Sequence, residues 1–162
     1  MKKRPALIAL LVFALDRWSK HLVETRLAFE SHVVVIPGFF DIVRSENSGV
    51  AFGLFTNAES PYKVALLIIF SIGALLMLAW LLWRNRGGEP YSEVAIALIF
   101  GGALGNVFDR IRFGSVTDFL DFYAGSYHWY TFNVADTSIS IGAALLLLGM
   151  LRRGALERKA HA

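Results

Sequence analysis

The chain of 162 residues has no cysteine. A disulfide framework, a thiolate nucleophile and a cysteine-based metal site are therefore all excluded. The histidines are His21, His32, His128 and His161. They form no HExxH pair and no close ligand spacing, which argues against a zinc hydrolase. Internal repeats and low-complexity segments are lacking too. The N-terminus has Lys2, Lys3 and Arg4 followed by eleven apolar residues, like a signal peptide. No small-x-small cleavage site follows, because the next residues are Asp16, Arg17, Trp18, Ser19 and Lys20. That segment is expected to remain as a helix.

What is abundant is apolar surface. Hydrophobic residues make up 56% of the chain, above the roughly 45–50% of a soluble domain. Val64 to Trp83 is twenty residues without a charge. At 1.5 Å per residue this is roughly 30 Å, the hydrocarbon thickness of a bilayer. Several other apolar runs accompany it. The patterning predicts an all-α membrane protein, a single domain over residues 1–162. Four transmembrane helices are expected at about 5–21, 62–83, 92–108 and 136–151.

Orientation follows from the basic residues. The N-terminal tip, the loop after the second helix and the C-terminal tail share one side, with nine Lys and Arg between them. The other two loops hold five: Arg26, Arg44, Lys63, Arg110 and Arg112. Both termini should then be cytoplasmic, as in a bacterial inner membrane. Residues 22–61 and 109–135 should be external. The first of these is rich in Val, Ile and Phe, with turn signals at Pro37-Gly38 and Asn47-Ser48-Gly49. It reads as short strands, a small β-rich extracytoplasmic platform. The second carries eight aromatics from Phe113 to Phe132, a density that suits an interfacial loop segment.

This topology gathers the unusual polar residues at one membrane face. Asp109, Arg110, Asp118 and Asp121 follow the third helix, Asp136 opens the fourth, and Asp16 and Lys20 lie on the last turns of the first. Ionisable groups at that depth are costly unless paired or facing a cavity. The i,i+4 spacing of Asp16 and Lys20 fits an intrahelical ion pair as well as a functional role. Asp109 is expected to partner a nearby Arg. The glycines Gly101, Gly102 and Gly105 most simply permit close helix packing. Asp118 is flanked by apolar residues, and Asp136 sits at or next to an N-cap, a place where Asp is also common for structural reasons. Two carboxylates close together in a low-dielectric niche share a proton. One then serves as base toward water and the other as acid toward a carbonyl oxygen.

The segments "DRWSK" (Asp16–Lys20), "NSGVAF" (Asn47–Phe52), "GGALGNVFDR" (Gly101–Arg110), "SVTDFLDF" (Ser115–Phe122) and "FNVADTSI" (Phe132–Ile139) occur in this order. Together they resemble the lipoprotein signal peptidases, or signal peptidase II. The resemblance implies an intramembrane aspartic endopeptidase of the bacterial inner membrane, with its active site near the periplasmic face. Such enzymes remove signal peptides from prolipoproteins by cutting before a diacylglyceryl-modified cysteine. It implies Asp118 and Asp136 as the catalytic pair. It implies Asn47, Gly49, Asn106, Arg110, Asn133 and Ala135 as residues that hold substrate or the pair, with Asp16 and Lys20 in support. The expected partners are lipidated prolipoproteins, membrane lipids and globomycin-type peptide inhibitors. A monomer is expected, with no metal, cofactor or nucleic acid. Two rivals remain in view. A proton-coupled transporter also needs buried charges, but these cluster at one face instead of stepping through the membrane. A Ser19–Lys20 peptidase dyad is disfavoured because adjacent helical residues point about 100° apart.

Overall fold

The computed structural model describes residues 3–49, 62–84 and 90–160. The chain runs α1 (Lys3–Arg26), β1 (His32–Ile36), β2 (Phe40–Asn47), α2 (Lys63–Arg84), α3 (Pro90–Phe113), β3 (Val116–Ala124), β4 (Tyr127–His128) and α4 (Val134–Ala160). Val50, Ala51 and Phe52 of the "NSGVAF" segment and Arg86 lie outside the described residues. Four long helices carry a small antiparallel sheet ordered β1-β2-β3-β4. Among the described residues, Ser92–Phe113 and Val134–Arg152 are long and apolar enough to cross a membrane, and Val64–Trp80 is a shorter apolar run. In α1 the charges of Asp16, Arg17 and Lys20 interrupt such a run.

Helix α3 is the centre of the bundle. It packs against α1, α2 and α4. Its glycines allow the approach. A Cβ on Gly101 would stand 2.6 Å from the Ala9 carbonyl oxygen and 2.8 Å from Val12 Cβ, both in α1. Gly102 faces the Ala135 carbonyl of α4, and Gly105 faces the Asp16 carboxylate of α1. The contact is reciprocal: a Cβ on Gly142 of α4 would lie 2.6 Å from the Ala95 carbonyl oxygen. Backbones that meet this closely gain dispersion contacts that lipid tails cannot supply. The outer faces stay apolar, with Leu7, Leu11, Phe70, Met77, Leu148 and Leu151 all more than half exposed. Such a surface suits contact with lipid.

The sheet departs from the expectation of an interfacial loop over 109–135. Helix α3 continues to Phe113, past the expected end near Phe108, and β3 then occupies nine residues. The stop is set by Gly114, at φ +79°, whose N–H donates to the Arg110 carbonyl at 3.1 Å. This left-handed glycine closes the last turn and reverses the chain into the strand. Gly38, at φ +78°, likewise makes the turn between β1 and β2. Arg44 on β2 docks the sheet onto α1. Its guanidinium donates to the carbonyls of Glu24 (2.9 Å) and Leu27 (3.0 Å), groups that the helix end leaves unpaired. Thr117 on β3 donates to Glu24 Oε1 at 2.9 Å.

The α1–α3 seam predicts the outcome of one substitution. Gly101→Ala forces its methyl into the backbone of Ala9, a group that cannot swing aside, and overpacking of this kind costs about 1–3 kcal/mol. The purified variant should unfold in detergent at a lower temperature than the parent. Gly73→Ala, where a Cβ meets nothing within 4 Å, should not. Equal melting temperatures for parent and Gly101→Ala would contradict the packing.

Candidate active site

Three helices and the sheet meet at a buried polar centre. On α1, Asp16 and Lys20 are one turn apart and both fully buried. Lys20 Nζ donates to Asp16 Oδ2 at 2.8 Å and to Asn106 Oδ1 at 2.9 Å. It also pairs with Asp109 Oδ2 at 2.7 Å. Arg17 NH1 pairs with the other Asp109 oxygen and stacks over Phe108 and Phe113. Two cations thus meet two carboxylates in a low-dielectric interior, where a lone charge would be prohibitively costly. The expected arginine partner of Asp109 is therefore Arg17, with Lys20 as a second.

From this centre, amide side chains reach outward to two further carboxylates. The Asn106 amide oxygen faces Lys20, so its NH2 is turned to donate to Asp136 Oδ1, at 2.8 Å. Asn133 is the N-cap of α4: its Oδ1 accepts the Asp136 backbone N–H at 2.9 Å. Asp136 itself stands at the third helical position. The same Asn133 side chain donates from Nδ2 to Asp118 Oδ1 at 2.6 Å. One fully buried amide therefore ties both acids. Ala135 donates its backbone N–H to Asp16 Oδ1 at 2.9 Å, which locks the start of α4 to α1.

The sheet brings the remaining residues. Asp118 lies on β3 opposite Ser45 of β2, two positions from Asn47 in the ladder. Asn47 Nδ2 donates to Asp118 Oδ2 at 3.1 Å, and Asn47 Oδ1 accepts the Gly49 N–H at 2.8 Å. Arg110 NH2 donates to the Gly49 carbonyl at 2.7 Å. A cavity of about 500 Å³ opens on this arrangement, lined by Asn47, Asp118 and Asp136 at one end and by Phe132 and Ile139 further along.

All ten residues singled out from the sequence thus fall in one connected network. Burial pushes the Asp118 carboxyl from 3.8 up to about 7, and the neighbouring Asp136 charge adds to this. Hydrogen bonds from Asn47 and Asn133 and the charge of Lys20 oppose the rise. Asp118 can therefore hold or release a proton near neutral pH. Asp121, three residues along the strand, projects to the opposite face. It is buried, with Oδ2 at 2.8 Å from His128 Nδ1. Ser19 donates to the Asp16 backbone carbonyl at 2.9 Å, and Lys20 is fully engaged elsewhere, which removes the Ser–Lys dyad. No metal-binding cluster occurs among the described residues. The sequence reading passed over Arg17, Glu24 and Arg44. Arg17 was detectable from its i,i+3 spacing to Lys20. Arg44 was not, because capping carbonyls on another element leaves no local pattern.

The comparisons agree with the geometry. A bacterial membrane enzyme solved by the in meso method at 2.3 Å superposes with a TM-score of 0.82 at 31% identity, covering 94% of this chain and 90% of that one. A second such structure, at 1.9 Å, has a TM-score of 0.80 and covers 93% and 94%. The fold is that of a membrane enzyme. A family model described as Signal peptidase (SPase) II matches residues 8–152. A lipoprotein signal peptidase of Solibacter usitatus is 50% identical over 90% of this chain and 88% of its own length. One of Syntrophotalea carbinolica is 43% identical over 91% of each. The chain belongs to the signal peptidase II family and is a protease of lipoprotein processing.

Lys20→Met tests the electrostatic centre. It leaves Asp16 and Asp109 buried with only Arg17 and one backbone N–H as counterparts, and such a loss costs about 3–5 kcal/mol. The expected result is a large fall in melting temperature. The double variant Lys20→Met/Asp16→Asn removes one orphaned charge and should recover part of it. A single variant as stable as the parent would show that Lys20 does not neutralise the site.

Proposed function

We propose that this chain is an intramembrane aspartic endopeptidase, which cleaves diacylglyceryl-modified prolipoproteins before the lipidated cysteine. The observation that supports this most is the pair Asp118 and Asp136, which share one cavity and are bridged by the Asn133 side chain. One carboxyl holds a proton and the other is ionised. The ionised one takes a proton from water as the water attacks the scissile carbonyl. The protonated one donates to the carbonyl oxygen, and the amide nitrogen is protonated as the tetrahedral intermediate collapses. Asn106 orients Asp136, Asn47 orients Asp118, and the Arg110–Gly49 contact holds the edge of the site where a substrate backbone would lie. Gly49, Arg110 and Ala135 act through position and not through proton transfer.

In this reading all four helices cross the inner membrane of a bacterium, both termini are cytoplasmic, and the site lies near the periplasmic face. The basic residues at the helix ends support that orientation. The enzyme works as a monomer, without metal or cofactor, and a globomycin-type peptide occupies the same cavity.

Amide replacements separate chemistry from architecture, because Asn is nearly isosteric with Asp but transfers no proton. Asp118→Asn and Asp136→Asn should each insert, fold and lose essentially all cleavage of a lipidated prolipoprotein. The double variant should be no worse than either, since members of one catalytic unit are not additive. Asp121→Asn, on the other face of β3, should keep a substantial fraction of the rate. Normal cleavage by Asp118→Asn would refute the assignment.

The pH profile offers an independent measure. The proton that burial holds on Asp118 is lost as pH rises through about 7, so kcat/KM should decline on the alkaline side, with an apparent midpoint belonging to the pair. Asn47→Ala deletes a hydrogen bond that favours the charged carboxylate. The carboxyl then titrates higher, and the alkaline limb should move to higher pH. A midpoint that stays in place or moves down would contradict the role given to Asn47.

A further inference from the structure

On the face of the sheet away from Asp118, a second set of polar side chains joins all four strands. Tyr123 Oη accepts the N–H of Gly38, in the turn between β1 and β2, at 3.2 Å. The same hydroxyl donates to Asp41 Oδ1 of β2, also at 3.2 Å. The Tyr123 ring stacks on His128 of β4, with centroids 4.8 Å apart. His128 Nδ1 lies 2.8 Å from Asp121 Oδ2. An ionised carboxylate only accepts, so the ring nitrogen is the donor. Asp41 and Asp121 stand directly opposite one another in the β2–β3 ladder, and both are buried. Like charges so placed repel. Each acid is relieved by one donor from β3 or β4: Tyr123 for Asp41 and His128 for Asp121. Asp121 Oδ1 is buried with no hydrogen-bond partner among the described residues, so this carboxylate depends on His128.

His128 sits at the start of a strap that returns over the sheet toward α4. The chain turns at Gly125, φ +62°, and pairs again only through Tyr123 with His128 and Ala124 with Tyr127. So short a ladder is marginal by itself. Trp129 to Phe132 then form one wall of the cavity. The Trp129 N–H donates to the Phe122 carbonyl at 2.8 Å, which keeps the chain extended past β4. Successive side chains of an extended chain point to opposite faces. His128 therefore turns toward Asp121, and Trp129 turns toward the cavity. Fixing one ring fixes the rotation of the other. The far end of the strap is secured separately. The Phe132 carbonyl accepts the N–H groups of Phe119 at 3.0 Å and Leu120 at 2.8 Å, and Asn133 is tied to Asp118 and to the Asp136 backbone. Loss of the His128 tie would thus move the Trp129 wall and leave the cavity carboxylates in place.

We propose that Asp121 and His128 are a latch, a pair of positioning residues that holds the strap Tyr127–Thr131 as a wall of the cavity and so governs substrate binding from the opposite face of the sheet. The cleavage measurements below rest on the proposed peptidase reading. The position of the strap is read without it.

Asp121→Ala and His128→Ala each remove the tie, whereas Asp121→Asn keeps an acceptor for the ring. With a lipidated prolipoprotein, either Ala variant should raise KM about tenfold and change kcat less than about twofold, and Asp121→Asn should stay within about threefold of the parent in KM. A KM like the parent's in both Ala variants, or a loss confined to kcat, would overturn the latch. A redox toggle makes the same test within one protein. Positions 123 and 128 face each other in the ladder, the spacing that a disulfide needs, and the chain has no cysteine of its own. Tyr123→Cys/His128→Cys should have a KM about tenfold lower oxidised than reduced. Equal values in the two forms would refute the proposal. The third measurement needs no cleavage. Thr131→Cys places a single thiol on the strap, at a half-buried position. Its modification by a maleimide should speed up about fivefold when Asp121→Ala is added, through local opening, and stay slow when Asp121→Asn is added. Ser138→Cys, buried on α4, should remain slow throughout. An unchanged rate at position 131, or a rate at 138 that rises with it, would overturn the latch. Thiol rates that respond as expected in a protein unable to cleave lipidated prolipoprotein would instead sink the peptidase reading and support the latch, so the two failures are distinguishable.

Discussion

The structure depends on one buried cation. Lys20 is fully buried, and a bare ammonium there would be untenable. It is tolerable because Asp16, Asp109 and the Asn106 amide oxygen surround it at 2.7 to 2.9 Å. Those partners come from two helices, so neutralising Lys20 fixes the distance and rotation of α1 against α3. It also fixes an orientation that packing cannot. An asparagine amide can turn either way round, but with Lys20 on its oxygen, the NH2 of Asn106 must face Asp136. Asp16 extends the same logic to α4 through the Ala135 N–H. A charge that is costly to bury thus sets the geometry of three helices and aims a donor at the Asp136 carboxylate.

Such a centre needs helices close enough for short side chains to reach one another. Gly101, Gly102 and Gly105 meet that need on α3, and Gly142 on α4. Gly105 is the clearest case: the space that its Cβ would occupy is taken by the Asp16 carboxylate. Larger residues there would part α1 from α3 and leave Lys20 and Asp16 reaching for partners across a gap. Close packing and charge neutralisation are therefore one constraint.

Much of this was legible in the sequence, for physical reasons. Charge-free runs of helix length report lipid contact, and the i,i+4 interval of Asp16 and Lys20 reports a shared face. The five motifs placed the polar residues in one neighbourhood. The helix ends were less legible. Asp109, Arg110 and Arg112 suggest that the third helix has already stopped, whereas the chain remains helical to Phe113, with Asp109 and Arg110 turned inward to partners and Arg112 exposed. Gly114, four residues after Arg110, was the local signal for the true end. The strand β3 was hidden for another reason. Its burial pattern is nearly continuous, because one face meets the cavity and the other carries Thr117, bonded to Glu24 of α1, and the buried Asp121. A strand covered on both sides shows no alternation of polar and apolar residues. Its nine aromatic-rich residues therefore resemble an interfacial loop.

The two carboxylates that line the cavity, Asp118 and Asp136, are held by different kinds of element. Asp136 is on the first turn of α4, where the Asn106 amide donates to its carboxylate. Asp118 is on a strand, buried by the sheet, and its proton is retained up to about pH 7. In the proposed reaction the two carboxyls share one proton, and their titration belongs to the pair. Asn133 joins the two elements. Its oxygen is committed to the Asp136 backbone N–H, so its NH2 faces Asp118, at 2.6 Å, with the Thr117 carbonyl and Asn106 Oδ1 as longer contacts at 3.4 Å. The amide thus couples the start of α4 to β3. The site can exist only where the bundle and the sheet meet, and that is also where a nearly pure apolar run opens into acids and bases.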